Sequence, residues 1–140
     1  MSDYIRLQKN HTDEEFTELQ VSAGNSVISA TAKIYVTSSM LEDLQDQILV
    51  FLQEQDLEAY WENDVPGIGG PPCVTIKLLP AVKSDTVLAE IYMELNDGGS
   101  FMDHHCRFYV CTSRPALQAF AEALSHFSSE PAGSQIELQN

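Results

Sequence analysis

Residues 39–55 read SMLEDLQDQILVFLQEQ, and the hydrophobic period of the chain changes at this stretch. Its apolar residues recur every three to four positions, which is the spacing of one face of a helix. These residues are Leu41, Leu44, Ile48, Phe51 and Leu52. Ser39 and Glu42 have the S-x-x-E form of a capping box, so we expect an amphipathic helix from Ser39 to about Gln55.

The sequence on either side alternates between polar and apolar residues with a period of two, the pattern of half-buried antiparallel strands. Before the helix, the predicted strands are Tyr4–Gln8, Phe16–Ser22 and Val27–Val36. After it, the predicted strands are Cys73–Leu79, Thr86–Leu95 and Cys106–Cys111. The stretch 56–72 lacks either period and is rich in Pro and Gly, so we expect a long connecting loop there.

A second helix follows the last strand. Ser113 is a suitable cap, and Pro115 fits the first turn, where a missing N–H costs little. The apolar stripe of this helix is Leu117, Phe120, Ala121, Leu124 and Phe127. The sequence therefore predicts an α+β domain over residues 1–128, with a six-stranded, mainly antiparallel sheet in the order βββ-α-βββ-α and both helices on one face. Residues 129–140 are expected to be a flexible tail.

The charge of the chain excludes several classes of function. Its 140 residues include 21 Asp and Glu but only 7 Lys and Arg, a formal net charge of −14. Nucleic acid and anionic membranes repel such a surface, and no apolar run reaches the roughly 18 residues of a membrane span. The first residues lack the pattern of a secretory signal, and the three cysteines form no C-x-x-C pair, so a cytoplasmic protein is expected.

The acidic residues are concentrated in the first helix and the loop after it. No Lys or Arg occurs between Lys33 and Lys77. We interpret this window as a binding surface for a basic partner, with Tyr60 and Trp61 as an aromatic anchor inside an acidic rim. The rim residues are Glu42, Asp43, Asp46, Glu54, Glu58, Glu62 and Asp64. Two plainer interpretations stay open: a solvated helix face, and a Trp61 that belongs to the core.

Chemistry that needs a catalytic or metal site has weaker support. Asp103, His104, His105 and Cys106 are the right ligand types for zinc, but neighbours on a strand point to opposite sides. No activating motif surrounds a cysteine, and residues 66–70 lack the rest of a phosphate-binding loop. We therefore expect no cofactor and no enzyme. A small ligand- or metal-binding domain or an enzyme using 56–72 or 103–106 is the alternative.

The order of these motifs resembles bacterial immunity proteins of the WapI-like kind, which neutralise polymorphic toxins. The resemblance covers residues 4–127: early strands, the capped helix, Tyr60-Trp61-Glu62, paired strands and a final helix with Leu117 and Phe120. It implies a non-enzymatic cytoplasmic protein that blocks a toxin domain, often a basic nuclease. Separately, we expect a monomer or homodimer. Type III secretion chaperones share the size and acidity, but they usually begin with a helix.

Overall fold

A computed structural model describes residues 3–54, 57–64, 72–80, 85–95 and 104–139. The predicted α+β class is confirmed, but the single six-stranded sheet is wrong. The described residues form eight strands in two four-stranded antiparallel sheets, together with two helices. The strands are β1 Tyr4–Thr12, β2 Thr17–Gly24, β3 Ser29–Val36, β4 Ala59–Glu62, β5 Cys73–Leu79, β6 Thr86–Leu95, β7 His104–Ser113 and β8 Gln135–Gln139. The helices are α1 Ser38–Gln53 and α2 Arg114–Phe127.

The strand order is β3-β2-β1-β8 in the first sheet and β4-β5-β6-β7 in the second. The expected flexible tail at 129–140 is therefore wrong over β8, which pairs antiparallel with β1 from Tyr4–Gln139 to Gln8–Gln135. Leu138 lies in the core, and burying it stabilises the strand. The strands β4 and β8 replace parts of the predicted loop and tail.

The two sheets belong to two units of the same design. The first unit contains β8, β1, β2 and β3 followed by α1, and the second contains β4, β5, β6 and β7 followed by α2. Each helix contacts the first strand of the other unit, α1 with β4 and α2 with β8. Likewise, β3 contacts β5 and β6, while β7 contacts β1 and β2. These reciprocal contacts show that the two units pack against each other in equivalent ways.

The start of α1 differs from the predicted capping box at Ser39. Thr37 is the cap, because its side chain accepts a hydrogen bond from the backbone N–H of Met40 at 3.2 Å. The backbone N–H of Thr37 donates in return to Sδ of Met40. Ser39 therefore lies inside the first turn. The predicted cap of α2 is confirmed, since the hydroxyl of Ser113 accepts from the N–H of Ala116 and Pro115 lies in the first turn.

One hydrophobic core joins both sheets and both helices. Four members of the predicted α1 stripe are buried, Leu52 is half-buried, and all five members of the predicted α2 stripe are buried. Arg114 ties the helices together, because its guanidinium donates to the carbonyl of Leu52 near the end of α1 and lies 5.9 Å from the ring centroid of Phe51. Because the core takes up the inner faces, we looked for a functional site on the outer faces of the sheets and helices.

Candidate functional site

The outer face of α1 carries the largest share of the predicted acidic residues. Glu42, Asp43 and Asp46 on the helix and Glu54 at its C-cap are all exposed, because the apolar stripe on the opposite side faces the core. The equivalent helix α2 differs: its exposed residues are Pro115, Gln118, Ala119, Glu122, Ser125 and His126, with a single carboxylate. The negative charge of the two helices is thus concentrated on one of them.

The predicted aromatic anchor is divided between the core and the surface. Trp61 is only 2% exposed, and its indole N–H donates to the carbonyl of Met40 at 2.9 Å, so it belongs to the core. Tyr60 is 43% exposed and points the other way, as neighbours on a strand must. The interpretation of Trp61 as a partner-binding residue is therefore corrected, and Tyr60 remains at the surface.

The strand β4 lies directly beside α1. The backbone N–H of Tyr60 donates to Oε1 of Gln47 at 3.4 Å, and the N–H of Leu57 donates to the carbonyl of Glu54. These contacts place Leu57 and Tyr60 next to the exposed face of the helix, where Val50 is also found. Val50 is 49% exposed and Leu57 is 53% exposed. Three partly exposed apolar or aromatic side chains therefore lie among the carboxylates.

We call this region the acidic surface. It consists of Glu42, Asp43, Asp46, Val50, Glu54, Leu57, Glu58 and Tyr60. Val50 and Leu57 were not predicted as site residues, because large apolar side chains are expected to be buried. The only signal was the position of Val50, between Asp43, Asp46 and Glu54 on the helical wheel.

The acidic surface continues onto the outer face of the second sheet. Glu58 lies 3.8 Å from the ammonium of Lys77 on β5, so this carboxylate is partly compensated. The Tyr60 hydroxyl donates to Oε2 of Glu62 at 2.8 Å. Burial first, and the Glu62 carboxylate second, raise the pKa of Tyr60 to about 12, so the phenol stays a neutral donor at neutral pH.

Two further tyrosines on this sheet repeat the pairing with glutamate. The Tyr92 hydroxyl donates to Glu94 at 3.1 Å, and the Tyr109 hydroxyl donates to Glu90 at 3.3 Å. Arg107 lies 3.2 Å from Glu90 and 5.2 Å from the ring centroid of Tyr92. The alternation of β6 and β7 already predicts that these side chains share the polar side of their strands. Which of them become neighbours depends on strand register.

Cys73 lies at the start of β5, near the carboxylates of Glu94, Asp64 and Glu62. Its thiol is fully buried and donates to the backbone carbonyl of Asp64, an exposed residue just after β4. Burial first, then the carboxylates of Glu94, Asp64 and Glu62, raise the pKa of the thiol to about 11. A nucleophilic cysteine needs the opposite shift, so this group is an inert thiol at neutral pH.

The predicted alternative metal ligands lie at the start of β7. His105 is on the outer face, with its ring centroid 6.1 Å from that of Tyr92, whereas His104 and Cys106 are on the opposite side of the strand. Asp103 lies outside the described residues, as do 65–71 of the predicted loop. Within the part of the chain that is described, no group of three or more His, Cys, Asp or Glu could hold a metal ion.

None of the helices in the described ranges is long and apolar enough to cross a bilayer. Comparisons with models of known protein families, with curated proteins and with solved structures found no match for this chain.

Proposed function

We propose that this chain is a binding module of the immunity type, which acts in the cytoplasm and blocks a basic toxin domain through its acidic surface. The observation that carries the proposal is the uneven distribution of charge on two equivalent helices. Three exposed carboxylates lie on α1 and a fourth, Glu54, lies at its C-cap, whereas one lies on α2. Because like charges on one face repel each other and reduce stability, their concentration favours a role in binding.

The acidic surface also has the composition of a protein-binding site. Interfaces place aromatic and apolar side chains at their centre and charged side chains at the rim. Here Val50, Leu57 and Tyr60 are the exposed apolar and aromatic side chains, and the carboxylates of the same surface include Asp43, Asp46, Glu54 and Glu58. The carboxylates attract and orient a basic partner, and the three apolar and aromatic side chains lose contact with water when it binds.

The role of Tyr60 follows from its hydrogen bond to Glu62. This bond holds the ring in place before binding, so less rotational freedom of the side chain is lost in the complex. The tyrosines and glutamates of β6 and β7 extend the same chemistry toward a larger partner.

The test uses the protein encoded by the reading frame adjacent to the gene as the candidate partner. Calorimetry measures its dissociation constant for the wild type and for Asp43→Lys/Asp46→Lys, which reverses two exposed charges. We expect binding to weaken roughly 100-fold, because attraction becomes repulsion at the rim. The matched control is Glu14→Lys/Glu15→Lys, which makes the same change in net charge at two exposed positions between β1 and β2.

Equal losses in both variants would assign the effect to net charge and would overturn the acidic surface as the site. A toxin assay separates the immunity role from a chaperone role. An immunity protein abolishes the toxic activity in the complex, whereas a secretion chaperone binds without lasting inhibition.

A further inference from the structure

Arginine, tyrosine and glutamate side chains meet on the outer face of the second sheet. Nε of Arg107 lies 3.2 Å from the Glu90 carboxylate, and its guanidinium carbon lies 5.2 Å from the ring centroid of Tyr92. Glu90 and Tyr92 are two residues apart on β6, so their side chains share one face of the strand. A single arginine therefore contacts a carboxylate and an aromatic ring that are placed two positions apart.

The first sheet contains the same combination of side chains. Nε of Arg6 on β1 donates to Oε1 of Glu137 on β8 at 2.8 Å, and its guanidinium carbon lies 5.0 Å from the ring centroid of Tyr4. Arginine suits this arrangement because its guanidinium is planar, so it can lie on an aromatic ring while its N–H groups bond a carboxylate. The fold thus holds a guanidinium with the same chemistry at two separate places.

Tyr60 and Glu62 on β4 provide a ring and a carboxylate at the same spacing as Tyr92 and Glu90. The Tyr60 hydroxyl donates to Oε2 of Glu62 at 2.8 Å. Lys77 lies opposite Tyr60 on β5, but its ammonium is directed to Glu58 at 3.8 Å. Among the residues that the structure describes, no Lys, Arg or His forms an ion pair with Glu62, and no Lys or Arg lies over the ring of Tyr60.

The pair of Tyr60 and Glu62 is accessible and lies beside α1. Tyr60 is 43% exposed, and its backbone N–H donates to the side chain of Gln47 on that helix. Glu62 is half-buried, so less water surrounds its carboxylate and its attraction for a cation is stronger than at a fully exposed position. A basic group that is attracted to the exposed carboxylates of α1 therefore comes close to a ring and a carboxylate that are spaced for arginine.

We propose that the Tyr60–Glu62 pair binds an arginine side chain of the basic partner, an inference that rests on the proposed function. The guanidinium bonds the Glu62 carboxylate and lies over the Tyr60 ring, as Arg107 does with Glu90 and Tyr92. The exposed carboxylates of α1 attract arginine and lysine alike. The pair prefers arginine, because an ammonium is strongly hydrated and lacks the flat face and the paired N–H groups of a guanidinium.

An NMR titration of the isotopically labelled chain with acetylarginine amide, at constant ionic strength, provides the test. Acetyllysine amide is the matched probe, because it carries the same charge. We expect the arginine probe to shift the amide signals of Tyr60 and Glu62 and to bind roughly three- to fivefold more tightly than the lysine probe. Tyr60→Leu, which removes the ring, and Glu62→Gln, which removes the charge, should each abolish this preference.

Tyr109 provides the matched control, since it is as exposed as Tyr60. Its hydroxyl donates to Glu90, which is already paired with Arg107. Tyr109→Leu should therefore leave the preference for arginine unchanged. Arg107→Gln is the converse test, because it removes the resident guanidinium, and the arginine probe should then also shift the signals of Glu90 and Tyr92. No shift on β6 in this variant would contradict the comparison between the two pairs.

Two results with the probes would overturn the proposal: equal affinities for arginine and lysine, or an equal loss of preference in Tyr60→Leu and Tyr109→Leu. With the protein encoded by the adjacent reading frame, Glu62→Gln should weaken binding roughly tenfold, and unchanged binding would contradict an arginine contact in the complex. If the probes show the preference but that protein does not bind, the proposed function fails and the arginine site stands.

Discussion

The strands β4 and β8 are both the first strand of a four-stranded unit, but each is held by different chemistry. β4 is anchored by Trp61, whose ring is buried and whose indole N–H donates to Met40 on α1. The connection before β8 is held by Lys9, which is 1% exposed and donates its ammonium to the carbonyl of Glu130 at 2.8 Å. Equivalent strands in one fold can therefore be anchored by a buried aromatic ring or by a buried lysine side chain.

Lys9 also fixes the path of the chain between α2 and β8. Its N–H donates to the carbonyl of Ser134, and its own carbonyl accepts from the N–H of Gly133, which has a φ of 95°. The ammonium lies 5.1 Å from the ring centroid of Phe127. One residue of β1 thus contacts the end of α2 and the turn that leads into β8.

Replacing the β4 anchor should have the largest effect on stability. Trp61→Ala removes a buried ring and leaves the Met40 carbonyl without that donor, so we expect the free energy of unfolding to fall by about 3–5 kcal/mol. Urea denaturation measures this change. Tyr60→Ala on the same strand is the control and should cost about 1 kcal/mol or less. Similar losses in both variants would contradict the assignment of Trp61 to the core.

Replacing the β8 anchor should have a smaller effect. Lys9→Ala removes a buried stem and the hydrogen bond to Glu130, and we expect a loss of about 2–3 kcal/mol. Lys9→Met should recover most of that loss, because methionine fills the space and carries no charge that must leave water. If Lys9→Met is as unstable as Lys9→Ala, the ammonium rather than the stem holds the connection before β8.

The two anchored regions should also respond to pH in opposite directions. The pKa of Cys73, beside β4, is raised from 9.0 to about 11, so above pH 9 the unfolded chain loses its thiol proton first. The folded state therefore loses about 2 kcal/mol between pH 9 and 11 relative to Cys73→Val. Denaturation of both proteins across this range measures the difference in the free energy of unfolding. If that free energy depends on pH in the same way in both proteins, the pKa of Cys73 is not raised.

The pH dependence of stability that we expect from Lys9 has the opposite sign to that of Cys73. Burial lowers the pKa of its ammonium, and the carboxylate of Glu130 offsets only part of this shift. The cost of burying the charge is present at neutral pH and is relieved as the pH rises from the lowered pKa toward 10.5. The stability of the wild type relative to Lys9→Met should therefore increase over that interval. A constant difference between the two proteins would show that Lys9 titrates normally.

The smallest effect is expected for the hydroxyl of Tyr60. Tyr60→Phe removes the hydrogen bond to Glu62 at a partly exposed position, so stability should change by about 0.5 kcal/mol or less. Partner binding should weaken by a few fold, because the ring is less restrained. Parallel melting curves and calorimetric titrations separate these effects, and unchanged binding would remove the proposed role of the Tyr60–Glu62 pair.

Local patterns were sufficient to predict much of the fold. The bounds of β5 and β6 agree with the predictions, and the cap and apolar stripe of α2 are confirmed. By contrast, β4 has four residues and β8 has five, too few for a period of two to stand out. Their partners also depend on distant contacts, such as Arg6 with Glu137, 131 positions apart in the chain.

The candidate site was predictable in its charge but not in its arrangement. The acidic residues of that window lie on α1, on β4 and in the segments next to them. Alternation along β4 separates Tyr60 from Trp61, but it does not say which of them faces the core. That is decided by α1, whose Met40 carbonyl accepts the indole N–H. The contributions of Val50 and Leu57 depend on the same helix–strand contact.

The pairing of Tyr4 with Gln139 places these two residues side by side. A short linker could therefore join them, and new termini could be opened between α1 and β4 without cutting a strand. Such a circular permutant would contain β4, β5, β6, β7 and α2, followed by β8, β1, β2, β3 and α1. Its linear order would be two tandem repeats, the arrangement that an ancestral gene duplication would produce.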